Sequence, residues 1–211
     1  FDNRGNGQNT AKIWNKLIKE STCDYILFAD SDAFVYNTIT EINRRPQPEG
    51  ICWLTEMMKA FDMFDNVAWV GPTCGTSAVS TLQSARPEDQ NPYCVNGHMS
   101  GYCFLTKKSI YDEVGYFDED FCFYGQESDW IDMVREKNTY EHKDYKFVLA
   151  PRAHVVHGYD NQGSMAAQQA SVEENLDTGE DAMYSYLCWN MKKKQRLRKY
   201  GVEHVIKKYQ T

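Results

Sequence analysis

Several features of common protein classes are missing from this sequence of 211 residues. No apolar run approaches the roughly 20 residues that a membrane-spanning helix needs, and no Asn-x-Ser/Thr glycosylation site occurs. There is also no Cys-x-x-Cys pair, and the seven cysteines are odd in number and dispersed along the chain. This pattern argues against a disulfide framework or a zinc site and predicts reduced thiols in a cytoplasmic protein.

Charge is unevenly distributed along the chain. Residues 180–211 carry eight Lys or Arg and three Asp or Glu, whereas the rest of the chain has a net charge of −12. The acidic body argues against a nucleic-acid-binding protein, since such proteins need positive charge to meet phosphates. The basic stretch 192–208 is a candidate for contact with the cytosolic face of a membrane or with a partner. An ordinary solvated helix face is the alternative.

Hydrophobic periodicity predicts alternating helices and strands. Helices are predicted over Thr10–Glu20, Ile51–Phe64, Lys108–Val114, Glu127–Lys137 and most of Val172–Tyr209. Strands are predicted over Tyr25–Ala29, Val67–Val70, Gly101–Thr106, Lys146–Ala150 and His154–His157, and a long polar loop over Thr73–Asn96. This alternation predicts an α/β fold with an open, mixed, mainly parallel sheet flanked by helices.

The first candidate functional motif is Asp30-Ser31-Asp32, which directly follows a buried apolar run. Ligands of open α/β sheets lie beyond the carboxyl ends of the strands. Two carboxylates two residues apart on an irregular turn can both reach one cation, and oxygen ligands suit Mg²⁺ or Mn²⁺ holding a diphosphate. The alternative is a turn or a helix cap, where Asp and Ser are common.

The second motif places Glu127 and Asp129 at the start of a predicted helix, behind an aromatic run. Aromatic surroundings could desolvate Glu127 and raise its pKa towards the working range of a general base. Acids that merely complement the dipole at a helix N-terminus are the alternative.

The third motif contains His154 and His157, which strand alternation puts on opposite faces. His157 is the stronger candidate for a cation ligand, because Gly158 ends the strand beside it. A lone histidine is otherwise usually structural.

Taken in order, these motifs resemble the GT-A glycosyltransferases, most closely the large family 2 of nucleotide-sugar-dependent enzymes. The resemblance covers residues 3–164. It is carried by Gly5–Asn15, Asp24–Asp32, Val70–Pro72, Gly101–Lys108, Glu113–Glu119, Tyr124–Asp129 and Pro151–His157. It implies a Rossmann-like GT-A sheet and metal-dependent, inverting transfer from a nucleoside diphosphate sugar to a glycan, lipid or protein acceptor.

The resemblance also implies roles for individual residues. Asp30, Asp32 and His157 would hold Mn²⁺ or Mg²⁺. Asp30 and Asp32, together with Asn15 and Gly101, would also contact the nucleotide sugar. Glu127 lies at the catalytic-base position with Asp129 beside it, and the base would take a proton from the acceptor hydroxyl. The turn Gly97–Gly101, which contains His98 and Met99, would approach the donor sugar or the acceptor.

Two departures from the family pattern bear on these expectations. The acid motif normally reads Glu-Asp, whereas this chain has Gln126-Glu127. The family's N-terminal nucleotide-binding strands are not visible before Phe1. We therefore expect residues 1–165 to be a GT-A-like domain without those strands, residues 166–211 to be a basic helical extension, and the chain to be part of a longer polypeptide.

Two other functions fit parts of the pattern. A phosphohydrolase of the HAD type also has a strand that ends in Asp-x-Asp. That family expects Thr or Val where this chain has Phe34, and no clear set of one Lys and two paired Asp residues matching the family follows downstream. A non-catalytic, glycosyltransferase-like module that binds a nucleotide, a glycan or a protein is favoured by Gln126 and by the missing front strands.

Overall fold

The computed structural model describes residues 10–30, 33–35, 47–74, 83, 90–97, 99–121, 125–157, 187–188, 190–198 and 200–201. The chain forms two compact units. The sheet unit comprises Ser21–Glu113 and Asp144–Ala170, and the helical unit comprises Phe1–Glu20, Val114–Lys143 and Ser171–Thr211. The predicted boundary between residues 165 and 166 lies outside the described residues and stays a prediction. In the described ranges, no helix has the length and apolar character needed to cross a bilayer.

The sheet unit is built around five strands. They are β1 (Tyr25–Ala29), β3 (Val67–Thr73), β4 (Tyr93–Cys94), β5 (Cys103–Lys107) and β6 (Lys146–His154), in the spatial order β1-β5-β3-β6-β4. Two further strands, β2 (Ala33–Phe34) and β7 (Val156–His157), form a separate antiparallel pair. The mixed α/β architecture expected from the sequence is therefore present.

The expectation of a mainly parallel sheet is wrong for the described strands. Only β3 and β6 pair in parallel, whereas β1–β5, β3–β5 and β4–β6 are antiparallel. A continuous apolar run carries no information on strand direction. It does not guarantee burial either: β1 was expected to be a buried strand, but it lies at the edge of the sheet and only Phe28 in it is buried. The inserted strand β5 is buried along Cys103–Thr106, yet it runs antiparallel to both neighbours.

Helix α2 (Trp53–Met63) covers one face of the sheet, against β3 and β6. Met57 and Ala60 lie one turn apart on the buried side of α2 and pack with Val70 and Val148 in one apolar cluster. The short helix α3 (Ser109–Val114) follows β5 directly. The first candidate motif follows the carboxyl end of β1, where Ala29 pairs with Cys103 of β5.

The helical unit contains α1 (Thr10–Glu20) and α4 (Gln126–Tyr140). Residues 190–198 are also helical and are called the basic segment below. The limits of α1 and β1 agree with the prediction, and α4 is longer than the predicted Glu127–Lys137 at both ends.

Candidate functional site

Asp30 lies where the chain leaves β1. Its backbone N–H donates to the Tyr102 carbonyl (2.8 Å), and its own carbonyl accepts from the Ala33 N–H (3.0 Å). The chain therefore turns at this point, and the Asp30 side chain remains 43% exposed. Ser31 and Asp32 lie outside the described residues, so the predicted metal and nucleotide contacts of Asp32 stay a prediction.

His157 lies beside this turn. In the β2–β7 ladder Ala33 pairs with His157, and Asp30 Oδ2 is 3.4 Å from His157 Nε2. The imidazole stacks on the Tyr102 ring, with ring centroids 4.9 Å apart. The Tyr102 hydroxyl donates to the Val155 carbonyl (3.2 Å) and so holds the stacked ring in place. The structure thus brings together two of the three predicted metal ligands.

Two weakly acidic side chains lie beside this pair; their ordinary pKa values are already above neutral pH, and burial raises both further. Burial raises the pKa of the Cys103 thiol to about 12, and the negative charge of Asp30 contributes to the shift. Burial also raises the pKa of Tyr102 well above its usual value. Because neither group ionises at neutral pH, they add no negative charge to the half-exposed Asp30–His157 pair.

The Asp30–His157 pair fits one edge of a cation site. Ligands about 2.1 Å from an octahedral cation stand about 3 Å apart along an edge, close to the 3.4 Å between the two side chains. Among the described residues, no group of three or more His, Cys, Asp or Glu side chains could hold a metal. A complete site therefore needs a further ligand, and Asp32 is the predicted one.

The second pair of candidates, Glu127 and Asp129, lies in the first turn of α4. Gly125 precedes the helix with a positive φ of 91°, a conformation that glycine adopts readily. Glu127 is half-buried, whereas Asp129 is only 1% exposed. Residues two apart in a helix project about 200° from each other. The two carboxylates therefore occupy different faces of α4.

Asp129 is held by a cation that the sequence analysis did not identify. Arg196 Nη1 donates to Asp129 Oδ1 (2.8 Å), and Arg196 Nε donates to Glu136 Oε2 (2.8 Å). Burial raises the pKa of Asp129 to about 6, and Arg196 opposes that shift. The available signal was the spacing of acids along α4, but only the fold reveals their partner.

Other cations of the basic segment are also engaged within the helical unit. Lys192 pairs with Asp118 (2.8 Å) and with Asp120, and Lys193 pairs with Asp132 (2.9 Å). Their charge is thus partly neutralised inside the unit. Residues 202–208 lie outside the described residues, and the predicted contact of 192–208 with a membrane or partner stays a prediction.

Asn15 and Gly101 were expected to contact the nucleotide sugar. Asn15 is buried in α1, where its amide donates to the Phe117 carbonyl (2.7 Å) and accepts from the Phe117 N–H (3.0 Å). Asn15 Nδ2 also lies 3.1 Å from Glu119 Oε1. Gly101 lies in the half-buried turn before β5. Asn15 therefore links α1 to the segment before α4, and the nucleotide contacts of both residues stay predictions.

The candidate residues fall into two groups. Asp30 and His157 adjoin each other in the sheet unit, and Glu127 and Asp129 share the first turn of α4 in the helical unit. Comparison with known proteins adds no assignment: no protein-family model matches the chain, and no curated protein is significantly similar to it.

Proposed function

We propose that this chain is a GT-A-like glycosyltransferase that moves a sugar from a nucleoside diphosphate sugar to an acceptor hydroxyl, with inversion. The observation that carries the proposal is the 3.4 Å approach of Asp30 and His157 at the end of β1. The resemblance of the sequence to family 2 implies that these two residues bind a cation. A carboxylate and an imidazole, both partly exposed, are suitable donors for it.

In this proposal the sheet unit holds the donor. Asp30, Asp32 and His157 would bind Mn²⁺ or Mg²⁺, and the bound cation would neutralise charge on the departing nucleoside diphosphate. The stacked Tyr102 ring limits rotation of His157, and the turn at Asp30 holds its carboxylate beside the imidazole. Both side chains are therefore preorganised for a ligand.

Glu127 supplies the base in the same proposal. Its carboxylate removes the proton of the acceptor hydroxyl as that oxygen attacks the anomeric carbon. Asp129 is buried and bound to Arg196, so it does not take the acceptor's proton. The acceptor is a glycan, a lipid or a protein with a free hydroxyl.

Two variants separate donor binding from transfer. Asp32→Ala should lose Mn²⁺-dependent binding of UDP or GDP, measured by calorimetry. Glu127→Gln should retain that binding and lose at least about 100-fold in transfer, measured with a panel of nucleotide sugars. Exposed Glu49→Gln is the matched control and should leave both unchanged. Full transfer by Glu127→Gln would show that another residue is the base.

A non-catalytic nucleotide- or glycan-binding module is the second candidate. It is favoured by Gln126, which stands where the family has Glu and is buried with Oε1 lacking a hydrogen-bond partner in the described part of the chain. Such a module would give the same cation-dependent nucleotide binding. It would show no transfer or donor hydrolysis with any nucleotide sugar, even in the unmodified chain.

A further inference from the structure

Three buried acids form a stripe along α4. Asp129, Asp132 and Glu136 follow the spacing i, i+3, i+7, which places them on one face of a helix. The basic segment supplies cations to all three: Arg196 binds Asp129 and Glu136, and Lys193 binds Asp132. One face of α4 is therefore tied to the basic segment by charge.

Arg196 has a special place in this network, because one guanidinium joins two carboxylates. Asp129 and Glu136 are seven residues apart, about 10 Å along the helix axis, yet each accepts a hydrogen bond of 2.8 Å from a different Arg196 nitrogen. The planar guanidinium presents several donors in fixed directions, whereas a lysine ammonium is a compact point charge. Lysine at this position would not hold both carboxylates equally well.

The first turn of α4 lies just before the buried Trp130, whose Nε1 donates a hydrogen bond to the Gly115 carbonyl (2.8 Å). The N-cap residue of α4 is Gly125, and no side-chain capping hydrogen bond is formed within the described residues. The turn is closed by the Asp129 N–H, which donates to the Gly125 carbonyl (2.8 Å). Asp129 therefore closes the turn with its backbone N–H and binds Arg196 with its side chain.

The stripe also sets the direction of Glu127. At about 100° per residue, Glu127 projects about 200° from Asp129 and about 180° from Glu136. When the stripe faces the basic segment, Glu127 must project from the opposite side of α4. Loss of the Arg196 contacts would free the first turn to fray or rotate.

We propose that Arg196 is a positioning residue: by holding Asp129 and Glu136 it fixes the first turn of α4, and thereby the orientation of Glu127. The catalytic part of this inference rests on the proposed function. Arg196 lies outside residues 3–164, which carry the family resemblance. Misplacement of a reacting group by about 1 Å can cost about 100-fold in rate.

The experiment compares Arg196→Gln and Arg196→Lys with Arg198→Gln in the full chain. Arg198 is exposed and two residues away, so its variant removes the same charge from the same segment. Arg196→Gln should lower kcat at least tenfold with donor KM changed less than twofold, and Arg196→Lys should recover only part of the loss. Arg198→Gln should stay within twofold of the parent in both constants.

Amide hydrogen exchange provides a readout that does not depend on activity. Arg196→Gln should reduce the protection of the Asp129, Trp130 and Ile131 amides about tenfold relative to Arg198→Gln, with the amides of β3 unchanged. Parent-like kcat together with parent-like protection in Arg196→Gln would overturn the proposal. If the parent chain transfers no sugar at all, the proposed function fails, and exchange alone still decides whether Arg196 holds the turn.

A variant in which the whole charged cluster is made neutral tests the same proposal if Arg196→Gln does not fold. Removal of one partner from a buried ion pair leaves an uncompensated charge. The combination Arg196→Gln, Asp129→Asn and Glu136→Gln removes all three charges together and should fold. We expect it to retain helix by circular dichroism and to show the same loss of kcat and of amide protection. Parent-like values in this variant would equally overturn the proposal.

Discussion

The carboxylate of Asp30 lies 3.4 Å from the imidazole of His157, and both side chains are partly exposed. The pairing depends on the two-residue ladder between β2 and β7, which places Ala33 opposite His157. We expect His157→Gln to weaken Mn²⁺-dependent UDP or GDP binding at least tenfold, since even loss of a residue that only supports a metal ligand costs 10- to 100-fold. Isothermal calorimetry with and without Mn²⁺ measures the change.

Exposed His142→Gln is the control for this variant and should bind as the parent does. Equal Mn²⁺-dependent binding by His157→Gln and the parent would remove His157 from the cation site.

The buried Asp129 should make stability depend on pH. Burial raises its native-state pKa to about 6, with Arg196 lowering it and Asp118 and Glu136 raising it. Because the native state binds this proton more tightly than the unfolded chain, the contribution to the free energy of unfolding is fully present below about pH 4. It is lost as the pH rises through about 6. The rise in the Asp129 pKa from 3.8 to about 6 corresponds to about 3 kcal/mol in the free energy of unfolding.

Urea unfolding at intervals from pH 4 to pH 7 measures this effect. Asp129→Asn should flatten the profile in that window, whereas exposed Asp62→Asn should leave its slope as in the parent. Identical profiles for Asp129→Asn and the parent would show that another group is responsible.

Gly115 should be sensitive to any side chain. Its φ is +113°, its carbonyl accepts a hydrogen bond from Trp130 Nε1 (2.8 Å), and an added Cβ would lie 2.9 Å from Met133 Cε. The Met133 terminus can move, so backbone strain dominates. Gly115→Ala should lower the free energy of unfolding by about 1–3 kcal/mol. Helical Gly201→Ala, which meets no atom within 4 Å, should be neutral or slightly stabilising in the same denaturation assay.

Asn15 should matter for stability through the Phe117 backbone. Asn15→Ala removes the partner of both the Phe117 N–H and the Phe117 carbonyl at a buried position, so it should cost about 2–4 kcal/mol in free energy of unfolding. Exposed Lys16→Ala, one residue along the same helix, should cost less than about 1 kcal/mol. Chemical denaturation distinguishes the two, and equal losses would contradict the structural role of Asn15.

The local sequence pattern was sufficient to predict the limits of helix α1 and strand β1. α1 and β1 have the predicted limits because amphipathic spacing and a short apolar run each describe a single element. β3, in contrast, continues through Gly71 and Pro72, where the sequence predicts its end. Pairing with β6 in this region, including Pro72 with Ala150, overrides the local signal.

The candidate site was only partly predictable, for a related reason. The approach of Asp30 and His157 was expected from the family resemblance, whereas the stacking of Tyr102 on His157 has no sequence signal. Likewise, the spacing of the acids along α4 is visible in the sequence, but Arg196 becomes their partner only through tertiary packing. Strand direction in the sheet was missed because burial of both faces is common to parallel and antiparallel neighbours.

The position of β6 between two other strands has a consequence for folding during synthesis. β6 lies between β3 and β4, and its parallel register joins Val67 to Lys146, so the sheet closes over a long stretch of chain. Contacts of such high sequence separation form late because loop closure costs entropy. A nascent chain that stops before Lys146 leaves one side of the fully buried β3 without its partner strand. Fragments of that length should therefore aggregate or recruit chaperones, while longer ones complete the sheet.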